Sequence, residues 1–257
     1  MTATVSVITA VKNGAATLAR CLDSVAAQAP HVVEHVVVDG QSCDGTCELV
    51  RARIAAGDGR LKLISGRDHG IADAWNKGIL AATGDWIGIL GADDWYEPGA
   101  LARLVPLMTA EAILHGRTRL HDPRSGRSRE SGPLPWIPEK HFRPLEKMPA
   151  QHPTCFVPRS LYERLGLFNT GFRVAMDYDF LLRAHLAGVT FNYVPEVIAN
   201  FSLGGASGKD PAATQREVLA SQIVRLGAVM GPLKTYLCSV YGSRLRHARR
   251  RLLGRPL

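Results

Sequence analysis

The chain has 257 residues, of which 46% are hydrophobic and 21% are charged, and its formal net charge is +8. This composition excludes a disordered protein, and the length suits one α/β domain better than two independent ones. We expect neither a membrane span nor a signal peptide, since no run reaches ~20 apolar residues and no leader pattern precedes the first strand. Five cysteines without paired spacing indicate reduced thiols, so we expect a cytoplasmic protein. The positive net charge favours anionic partners.

Strand and helix patterns alternate along the first part of the chain. Short β-branched runs predict strands, and apolar residues at helical spacing predict helices. In chain order these are strand 5–11, helix 15–29, strand 32–38, helix 46–56, strand 61–64, helix 71–82 and strand 86–90. The alternation predicts an α/β fold with a Rossmann-like, mainly parallel sheet and flanking helices.

Polar side chains follow each of the four predicted strands. Asn13 comes after the first, Asp39 after the second, Asp68 after the third, and Asp93 with Asp94 after the fourth. Ligands of open α/β sheets bind outside the carboxyl ends of the strands, so we expect these groups to share one site. Clustered aspartates suit a hard divalent cation that also holds substrate phosphates.

Five segments of the chain form a specific pattern when taken in order. They are SVITAVKN from Ser6, VVVDGQSCDGT from Val36, DHGIADAWNKG from Asp68, LGADD from Leu90 and MDYDFLLR from Met176. Together they resemble the family 2 glycosyltransferases, which are inverting enzymes with the GT-A fold. The resemblance covers about residues 4–205 and is closest to the subgroup that acts in polysaccharide or glycolipid assembly.

The resemblance implies a metal-dependent hexosyltransferase that moves a sugar from a nucleotide-diphosphate sugar to a hydroxyl of a glycan or lipid-linked acceptor. Two alternatives stay open from the residues themselves. A nucleotidyltransferase would normally have a first loop richer in glycine and basic residues than the VKNG that starts at Val11. A non-catalytic sugar-nucleotide-binding component of a glycan assembly complex would keep the site without the chemistry.

The resemblance also implies a set of nucleotide-sugar contacts. These are Thr9, Ala10, Asn13, Asp39, Arg67, Asp68, Asn76, Ala92, Asp93 and Asp94. Asp39 would accept from the nucleotide base, or would only cap its turn. Asp68 would contact the nucleoside and Arg67 a phosphate, or both would be solvated loop charges. Asn76 fits a structural amide equally well.

Gly91 stands where the family often has the first of three aspartates. Counting back from Pro98 places Asp93 at the metal-binding position, with Mg²⁺ or Mn²⁺ as the ion. Asp94 would lie behind it or reach the ribose through water. The alternative is that the two aspartates only cap a helix that starts near Pro98.

The acceptor hydroxyl needs a carboxylate that takes its proton. Asp177 matches the base position of the family, and Asp179 would then cap the helix that begins there. The reverse assignment, with Asp177 as the cap and Asp179 as the base, stays open on spacing alone.

Two further residues are candidates for the acceptor or diphosphate side of the site. Trp136 lies in the stretch 117–149, which is rich in Pro, Arg and Gly and is predicted to be irregular. His152 is similar to a histidine of the same subgroup, although a structural hydrogen bond in the core is an equal alternative. The glycine-rich segment 201–208 is a lid or a plain connecting loop.

We divide the chain into a GT-A domain over residues 1–210 and a C-terminal helical, basic extension over 211–257. A helical pattern covers 222–241, and arginines with interleaved leucines fill 243–257. This basic segment is consistent with peripheral attachment to an anionic membrane surface on the cytoplasmic side. A contact within a homo-oligomer, or a solvated end, is the alternative, and we see no motif for nucleic acid.

Overall fold

The computed structural model describes residues 3–109, 111–131, 150–205 and 210–226. Several predicted features fall outside these ranges: Trp136 with the rest of the irregular stretch after residue 131, residues 206–208 of the glycine-rich segment, residues 227–241 of the helical pattern, and the basic tail over 243–257. The division into domains at residue 210 stays a prediction.

Strands and helices alternate in the described part of the chain. The strands β1–β9 are Val5–Val11, Val32–Asp39, Leu61–Ser65, Trp86–Ile89, Trp95–Tyr96, Ala112–His121, Ser128–Ser131, Phe156–Pro158 and Thr190–Ser202. The helices α1–α7 are Ala15–Ala26, Thr46–Ala55, Ile71–Ala81, Ala100–Leu104, Arg159–Leu165, Met176–Leu186 and Pro211–Leu226. Short 3₁₀ turns occupy Val105–Leu107 and His152–Thr154.

The strands form one curved sheet in the order β3-β2-β1-β4-β8-β6-β9-β5, with β7 paired to β6. The first four strands in this order are mutually parallel, whereas β8 runs antiparallel to β4 and to β6. Strands β6 and β9 are parallel to each other. The predicted mainly parallel sheet with flanking helices is confirmed, and the carboxyl ends of β1 to β4 lie along one edge.

Hydrophobic side chains cover both faces of the sheet. Val7 and Val37 pack in one buried cluster with α1, whereas Ile8 and Val36 pack in another with α3 and α6. Side chains of successive strand residues point to opposite faces, so these β-branched runs fill two layers at once. Each fully buried valine or isoleucine stabilises the fold by roughly 1.5–3 kcal/mol.

The irregular structure predicted over residues 117–149 is wrong for the first part of that stretch. Residues 117–121 belong to β6 and 128–131 form β7, which pairs with it as a hairpin. Arg117 and Arg119 form ion pairs with Glu130. Because charged side chains occupy the solvated face of this hairpin, the apolar signal of a strand is weak in the sequence.

The helix predicted near residue 222 begins earlier, at Pro211. Asp210 caps it, since its Oδ1 accepts a hydrogen bond from Ala213 N at 2.9 Å, and proline is favoured at the first helical position. The helix α7 packs against α6. Among the described residues, no helix is both long and apolar enough to cross a membrane.

Candidate active site

A cleft of about 640 Å³ opens at the carboxyl ends of the parallel strands, as expected for this sheet. The predicted site residues that line it are Ala10, Asn13, Asp68, Ala92, Asp93, Asp94, His152 and Asp177. Four other predicted contacts are not in its lining, namely Thr9, Asp39, Arg67 and Asn76.

Thr9 and Ala10 lie near the end of β1 and point to opposite faces of the sheet, since side chains alternate along a strand. Ala10 lines the cleft. Thr9 is fully buried, and its hydroxyl lies 2.9 Å from His35 Nε2 and 3.6 Å from Cys21 Sγ of α1. The structure therefore places Thr9 in the core and does not bring it to the predicted nucleotide site.

Asn13 turns the chain from β1 into α1. Its backbone has a φ of 53°, in the left-handed region that asparagine tolerates better than most residues. Its Oδ1 accepts a hydrogen bond from Cys43 N at 2.9 Å, and its N donates to Ser42 Oγ at 2.7 Å. These bonds join the loops that follow β1 and β2, and the exposed Lys12 lines the cleft beside them.

Asp39 ends β2 and is fully buried. Its Oδ2 accepts hydrogen bonds from Ser42 N at 3.1 Å and Ser65 Oγ at 3.0 Å. Burial raises the pKa of Asp39, but hydrogen bonds from Ser42, Cys47 and Ser65 outweigh burial and the pKa is lowered. Its Oδ1 is buried without a partner among the described residues. One oxygen thus caps the turn, which fits the alternative interpretation of Asp39, while the other has no hydrogen-bond partner among the described residues.

Asp68 lines the cleft after β3, and its Oδ1 accepts a hydrogen bond from Gly70 N at 3.1 Å. A Cβ at Gly40 would collide with Asp68 Oδ2, so a side chain at residue 40 would displace the Asp68 carboxylate. Arg67 is exposed outside the cleft lining, and its carbonyl accepts a hydrogen bond from Lys77 Nζ at 2.7 Å. For Arg67 this geometry favours the solvated loop charge.

Asn76 lies in α3, and its side-chain amide joins this helix to the loop that contains Phe168. Its Nδ2 donates to the Phe168 carbonyl at 2.9 Å, and its Oδ1 accepts from Phe168 N at 2.9 Å. Both ends of the amide are therefore engaged with one loop. The structural alternative fits this geometry, and the structure does not bring the Asn76 side chain to the cleft.

The loop after β4 carries Asp93 and Asp94, and distant residues hold it. The Asp93 carbonyl accepts hydrogen bonds from Arg20 Nη2 at 3.0 Å and Ser202 Oγ at 2.7 Å. Asp94 Oδ1 accepts from Ser202 N at 2.9 Å. The next helix begins at Ala100 and has no side-chain cap, so the aspartates do not have the alternative capping role.

Gly91 leaves room for both carboxylates of this loop. A Cβ at residue 91 would lie 2.5 Å from Asp94 Oδ2 and 3.0 Å from Asp93 Oδ1. The two carboxylates therefore fold back over Gly91, and a side chain there would displace them. Burial and then the charge of Asp93 raise the pKa of Asp94 to about 7, although hydrogen bonds from Ser202 and Gly91 lower it.

The residues of this loop fit a cation that arrives with its substrate. The Asp93 carboxylate lines the cleft, half-buried, and makes no hydrogen bond or ion pair with any described residue. No three His, Cys, Asp or Glu side chains of the described residues group as a metal site. An ion here would take one or two carboxylate ligands and complete its shell with diphosphate oxygens and water, which suits Mg²⁺ or Mn²⁺.

Asp177 lies in the first turn of α6, is half-buried and lines the cleft. Its Oδ1 accepts a hydrogen bond from Tyr178 N at 2.7 Å. Burial is the main cause that raises the pKa of Asp177 to about 6; the Tyr178 bond lowers it and the charge of Glu217 raises it further. A carboxylate with this pKa is ionised at neutral pH and still basic enough to take a proton.

Asp179 faces away from the cleft and is fully buried. Arg183 Nε and Arg225 Nε each lie 3.0 Å from one of its oxygens, and Ser221 Oγ donates to it at 2.9 Å. Neither this residue nor Asp177 caps α6, which has no side-chain cap. The geometry therefore favours Asp177 over Asp179 as the base.

His152 begins a 3₁₀ turn and lines both the main cleft and a smaller apolar cavity that it shares with Asp177. Its ring packs edge-on against Trp75, with centroids 4.4 Å apart. Its Nε2 is buried and has no hydrogen-bond partner among the described residues. Burial lowers the pKa of His152 to about 4, so the ring is neutral at physiological pH.

Sequence reasoning missed several residues that shape the cleft. They are Lys12, Trp75 and Arg173 in the lining, and Arg20 and Ser202 at the backbone of Asp93. Arg20 and Ser202 are 73 and 109 residues from Asp93 in the chain. No local motif marks such contacts, because only the folded chain brings the partners together.

The cleft is lined by aspartates that follow the fourth strand and by a carboxylate from a later helix, and the surrounding fold is that of solved GT-A glycosyltransferases. The chain belongs to glycosyl transferase family 2, whose family model matches residues 6–166. The predicted family, the GT-A fold and the assignment as a glycosyltransferase are confirmed. This membership also speaks against the nucleotidyltransferase alternative.

Two curated relatives illustrate the family. The PGL/p-HBAD biosynthesis glycosyltransferase of Mycobacterium tuberculosis is 34% identical over 209 residues, which cover 79% of this chain and 78% of the relative. The succinoglycan biosynthesis protein ExoO of Rhizobium meliloti is 41% identical over 102 residues, which cover 39% of this chain and 28% of the relative.

Solved structures share the fold at low sequence identity. The mannosyltransferase PcManGT of Pyrobaculum calidifontis, in complex with GDP-Man and Mn²⁺, has a TM-score of 0.67 at 21% identity, over 92% of this chain and 68% of that chain. Residues 1–349 of S. aureus TarS, in complex with UDP-GlcNAc, have a TM-score of 0.63 at 17% identity, over 86% and 66%. A longer TarS chain is covered to only 40%.

Proposed function

We propose that this glycosyltransferase is metal-dependent and inverting, and that it moves a sugar from a nucleotide-diphosphate sugar to a hydroxyl of a glycan or lipid-linked acceptor. The observation that carries the proposal is that Asp93 and Asp177 line one cleft although they come from distant parts of the chain. An inverting transfer needs a base for the attacking hydroxyl and stabilisation of the leaving diphosphate.

Asp177 is the proposed general base. Its Oδ1 accepts from Tyr178 N, which leaves Oδ2 to receive the proton of the acceptor hydroxyl. The deprotonated oxygen of the acceptor then attacks the anomeric carbon of the donor on the face opposite the nucleoside diphosphate. Burial, which raises the pKa of Asp177 to about 6, makes the carboxylate a stronger base than an exposed aspartate.

The donor would occupy the strand-end loops. Asp93, with Asp94 beside it, would hold Mg²⁺ or Mn²⁺, which when bound stabilises the departing diphosphate as a Lewis acid. Lys12 and Arg173 are exposed cations in the cleft lining and favour an anionic donor. The unpartnered Asp39 Oδ1 would accept from the base. The nucleotide sugars bound to PcManGT and TarS support this class of donor.

The acceptor would approach from the side of Asp177. His152 lines that part of the cleft, and we propose that it borders the acceptor or the diphosphate together with Trp136, which lies outside the described residues. The name of the mycobacterial relative, a PGL/p-HBAD biosynthesis glycosyltransferase, supports an acceptor in glycolipid assembly.

Donor turnover tests the proposal. We expect the purified protein to release nucleoside diphosphate from at least one of a panel of UDP-, GDP- and dTDP-sugars with Mn²⁺ and to stop when EDTA is added. Asp177→Asn should bind that nucleoside diphosphate as the wild type does and lose turnover by ~10²–10⁴-fold, while Asp23→Asn at an exposed surface site should stay active. Full turnover in EDTA would contradict the metal, and full turnover of Asp177→Asn would contradict the base.

We further propose that the basic tail, residues 243–257, attaches the protein to the cytoplasmic face of a membrane. It contains six arginines together with Leu245, Leu252 and Leu253. Each basic side chain near an anionic surface contributes ~1 kcal/mol, so attachment would be reversible and sensitive to salt.

Co-sedimentation with phosphatidylserine vesicles tests the tail. We expect binding at low salt, release at high salt, and loss of binding when residues 243–257 are deleted, with turnover on a soluble acceptor analogue unchanged. If the full-length chain does not bind the vesicles at low salt, membrane attachment is contradicted. The basic tail is then a homo-oligomer contact or a solvated end.

A further inference from the structure

Glu217 of α7 reaches the backbone that precedes α6. Its Oε1 accepts a hydrogen bond from Arg173 N at 3.0 Å, and its Oε2 accepts from Val174 N at 2.8 Å and Ala175 N at 2.9 Å. Amides at the start of a helix have no partner within the helix. One carboxylate therefore satisfies three consecutive amides in the backbone that leads into the helix carrying Asp177, the last of them at the N-cap residue.

The segment held by Glu217 is part of the cleft wall. Arg173, Val174 and Asp177 all line the cleft, whereas Glu217 itself does not. The N-cap residue of α6 is Ala175, which offers no side-chain cap. Asp177, the proposed base, and the exposed guanidinium of Arg173 therefore lie on or beside a backbone segment whose amides donate to the Glu217 carboxylate of α7.

Separate contacts anchor α7 further along α6. Ser221 Oγ and Arg225 Nε bond to Asp179 at 2.9 Å and 3.0 Å, and Gln222 Nε2 donates to Tyr178 Oη at 2.6 Å. None of these bonds involves the backbone of residues 173–175. The docking of α7 and the contact made by Glu217 can therefore be tested separately.

We propose that Glu217 is a positioning residue for sugar transfer, whose carboxylate holds the 173–175 backbone so that Asp177 faces the acceptor and Arg173 faces the diphosphate. The inference rests on the proposed role of Asp177 as the base. Displacement of a reacting group by about 1 Å can cost about 10²-fold in rate, so a contact behind the cleft is able to control turnover.

Charge gives the contact a second, measurable consequence. Among the described residues, the titratable or charged groups around Asp177 are His152, Cys155, Tyr162, Arg173 and Glu217, with Lys12, Asp68, Asp93 and Asp94 in the same cleft lining. Burial lowers the pKa of His152 and raises the pKa of Cys155, so both are neutral near pH 7. Burial raises the pKa of Asp177 most, and the negative charge of Glu217 adds to that rise from outside the cleft.

Glu217→Gln and Glu217→Ala test the inference, with Ser221→Ala as the matched control on the same face of α7. We expect kcat to fall about 10²-fold in Glu217→Ala and less in Glu217→Gln, which keeps an acceptor oxygen. The acidic limb of kcat against pH should move to lower pH in Glu217→Gln, because Asp177 loses a neighbouring negative charge. Ser221→Ala should lower the melting temperature but leave kcat and the acidic limb in place.

Two results would overturn the inference. One is wild-type kcat with an unmoved acidic limb in both Glu217 variants; the other is an equal loss of kcat in Ser221→Ala at equal loss of stability. If Glu217→Ala does not fold, Glu217→Gln carries the test alone. Activity retained in Asp177→Asn would instead defeat the proposed base, whereas an inactive Asp177→Asn beside normal Glu217 variants would defeat only the positioning role.

Discussion

The two regions that meet at the cleft place their functional groups by different physical means. In the N-terminal region, residues 5–104, Asp68 and Asp93 follow parallel strands, and the backbone ladder of the sheet sets their place. In the C-terminal region, residues 111–226, Asp177 stands at the start of a helix that Glu217 holds from 42 to 44 residues away in the chain.

This difference determines what a substitution should do in each region. The carboxylate of Asp93, at the end of a strand, makes no hydrogen bond or ion pair with the described residues, so its removal should leave the fold intact. The C-terminal region depends on charged side chains that pair within the protein, such as Asp179 with Arg183 and Arg225. Substitutions of these paired side chains should mainly lower stability, whereas substitutions at the cleft or at the Glu217 contact should mainly lower activity.

The largest expected effect is that of Asp93→Ala in the N-terminal region. We expect transfer to fall by about 10³-fold or more, because the diphosphate loses several kcal/mol of charge stabilisation from the cation. Calorimetry with the nucleoside diphosphate and Mn²⁺ should show weaker binding, and thermal unfolding should be unchanged. Asp23→Ala, an exposed aspartate on α1, is the control. Unchanged affinity in Asp93→Ala would mean that the cation is held elsewhere.

In the C-terminal region, Asp179→Asn should show the opposite pattern to Asp93→Ala, namely a loss of stability that comes from the fold and not from the reaction. It leaves Arg183, which is largely buried, and Arg225 without their charge partner. Breaking a buried pair costs about 3–5 kcal/mol, and about 3 is expected here because Arg225 is partly exposed. The melting temperature should fall by about 6–12 °C, measured by circular dichroism. A stable Asp179→Asn that has lost turnover would instead make Asp179 part of the reaction.

The same contrast explains how much the sequence could predict. Strands β1 to β4 and helices α1 to α3 are predicted within a few residues, because β-branched runs and helical spacing are local signals. The rule for strand ends then brings Asp68 and Asp93 to one cleft. It does not say which of two neighbouring side chains faces the ligand, so Ala10 lines the cleft while Thr9 lies in the core.

Local sequence patterns do not predict the role of a residue when that role depends on contacts with distant parts of the chain. Asn76 looks like a ligand-binding amide in the motif, but the Phe168 backbone engages both its ends. Glu217 carries no motif, since its partners are backbone amides. The β6–β7 hairpin gives only a weak strand signal in the sequence, because arginines and other polar residues occupy its exposed face and no apolar alternation marks it. For Asn76 and Glu217 the missing information is the identity of a distant partner, whereas the two strands of the hairpin are close in the chain and lack only a clear apolar pattern.

A smaller expected effect is that pH changes turnover, which depends on the C-terminal region, more than nucleotide binding, which depends on the N-terminal region. As the proposed base, Asp177 must be deprotonated for turnover, and burial raises its pKa to about 6. The rate should therefore be flat above neutral pH and fall about tenfold per unit below that pKa. The nucleoside diphosphate should still bind at pH 6, because Asp93, not Asp177, is the residue proposed to hold the cation. An acidic limb that persists unchanged in the residual activity of Asp177→Asn would assign the titration to another group.

The smallest expected effect comes from Arg20, which supports the N-terminal region from behind. Arg20 Nη2 donates to the Asp93 carbonyl at 3.0 Å, and its guanidinium lies 3.5 Å from the centroid of the Trp95 ring. Ser202 Oγ donates to the same carbonyl, so loss of Arg20 loosens the loop without releasing it. The expected cost is about 1 kcal/mol, or about fivefold, in donor binding.

Arg20→Leu keeps an apolar contact with Trp95 and removes the donor, so the KM for the nucleotide sugar should rise about fivefold while kcat changes less. Arg53→Leu, which breaks an exposed ion pair with Asp23, is the matched control and should change neither value. A large fall in kcat with unchanged KM would place Arg20 in the chemistry of transfer. Equal effects of Arg20→Leu and Arg53→Leu would show that Ser202 alone holds the Asp93 loop.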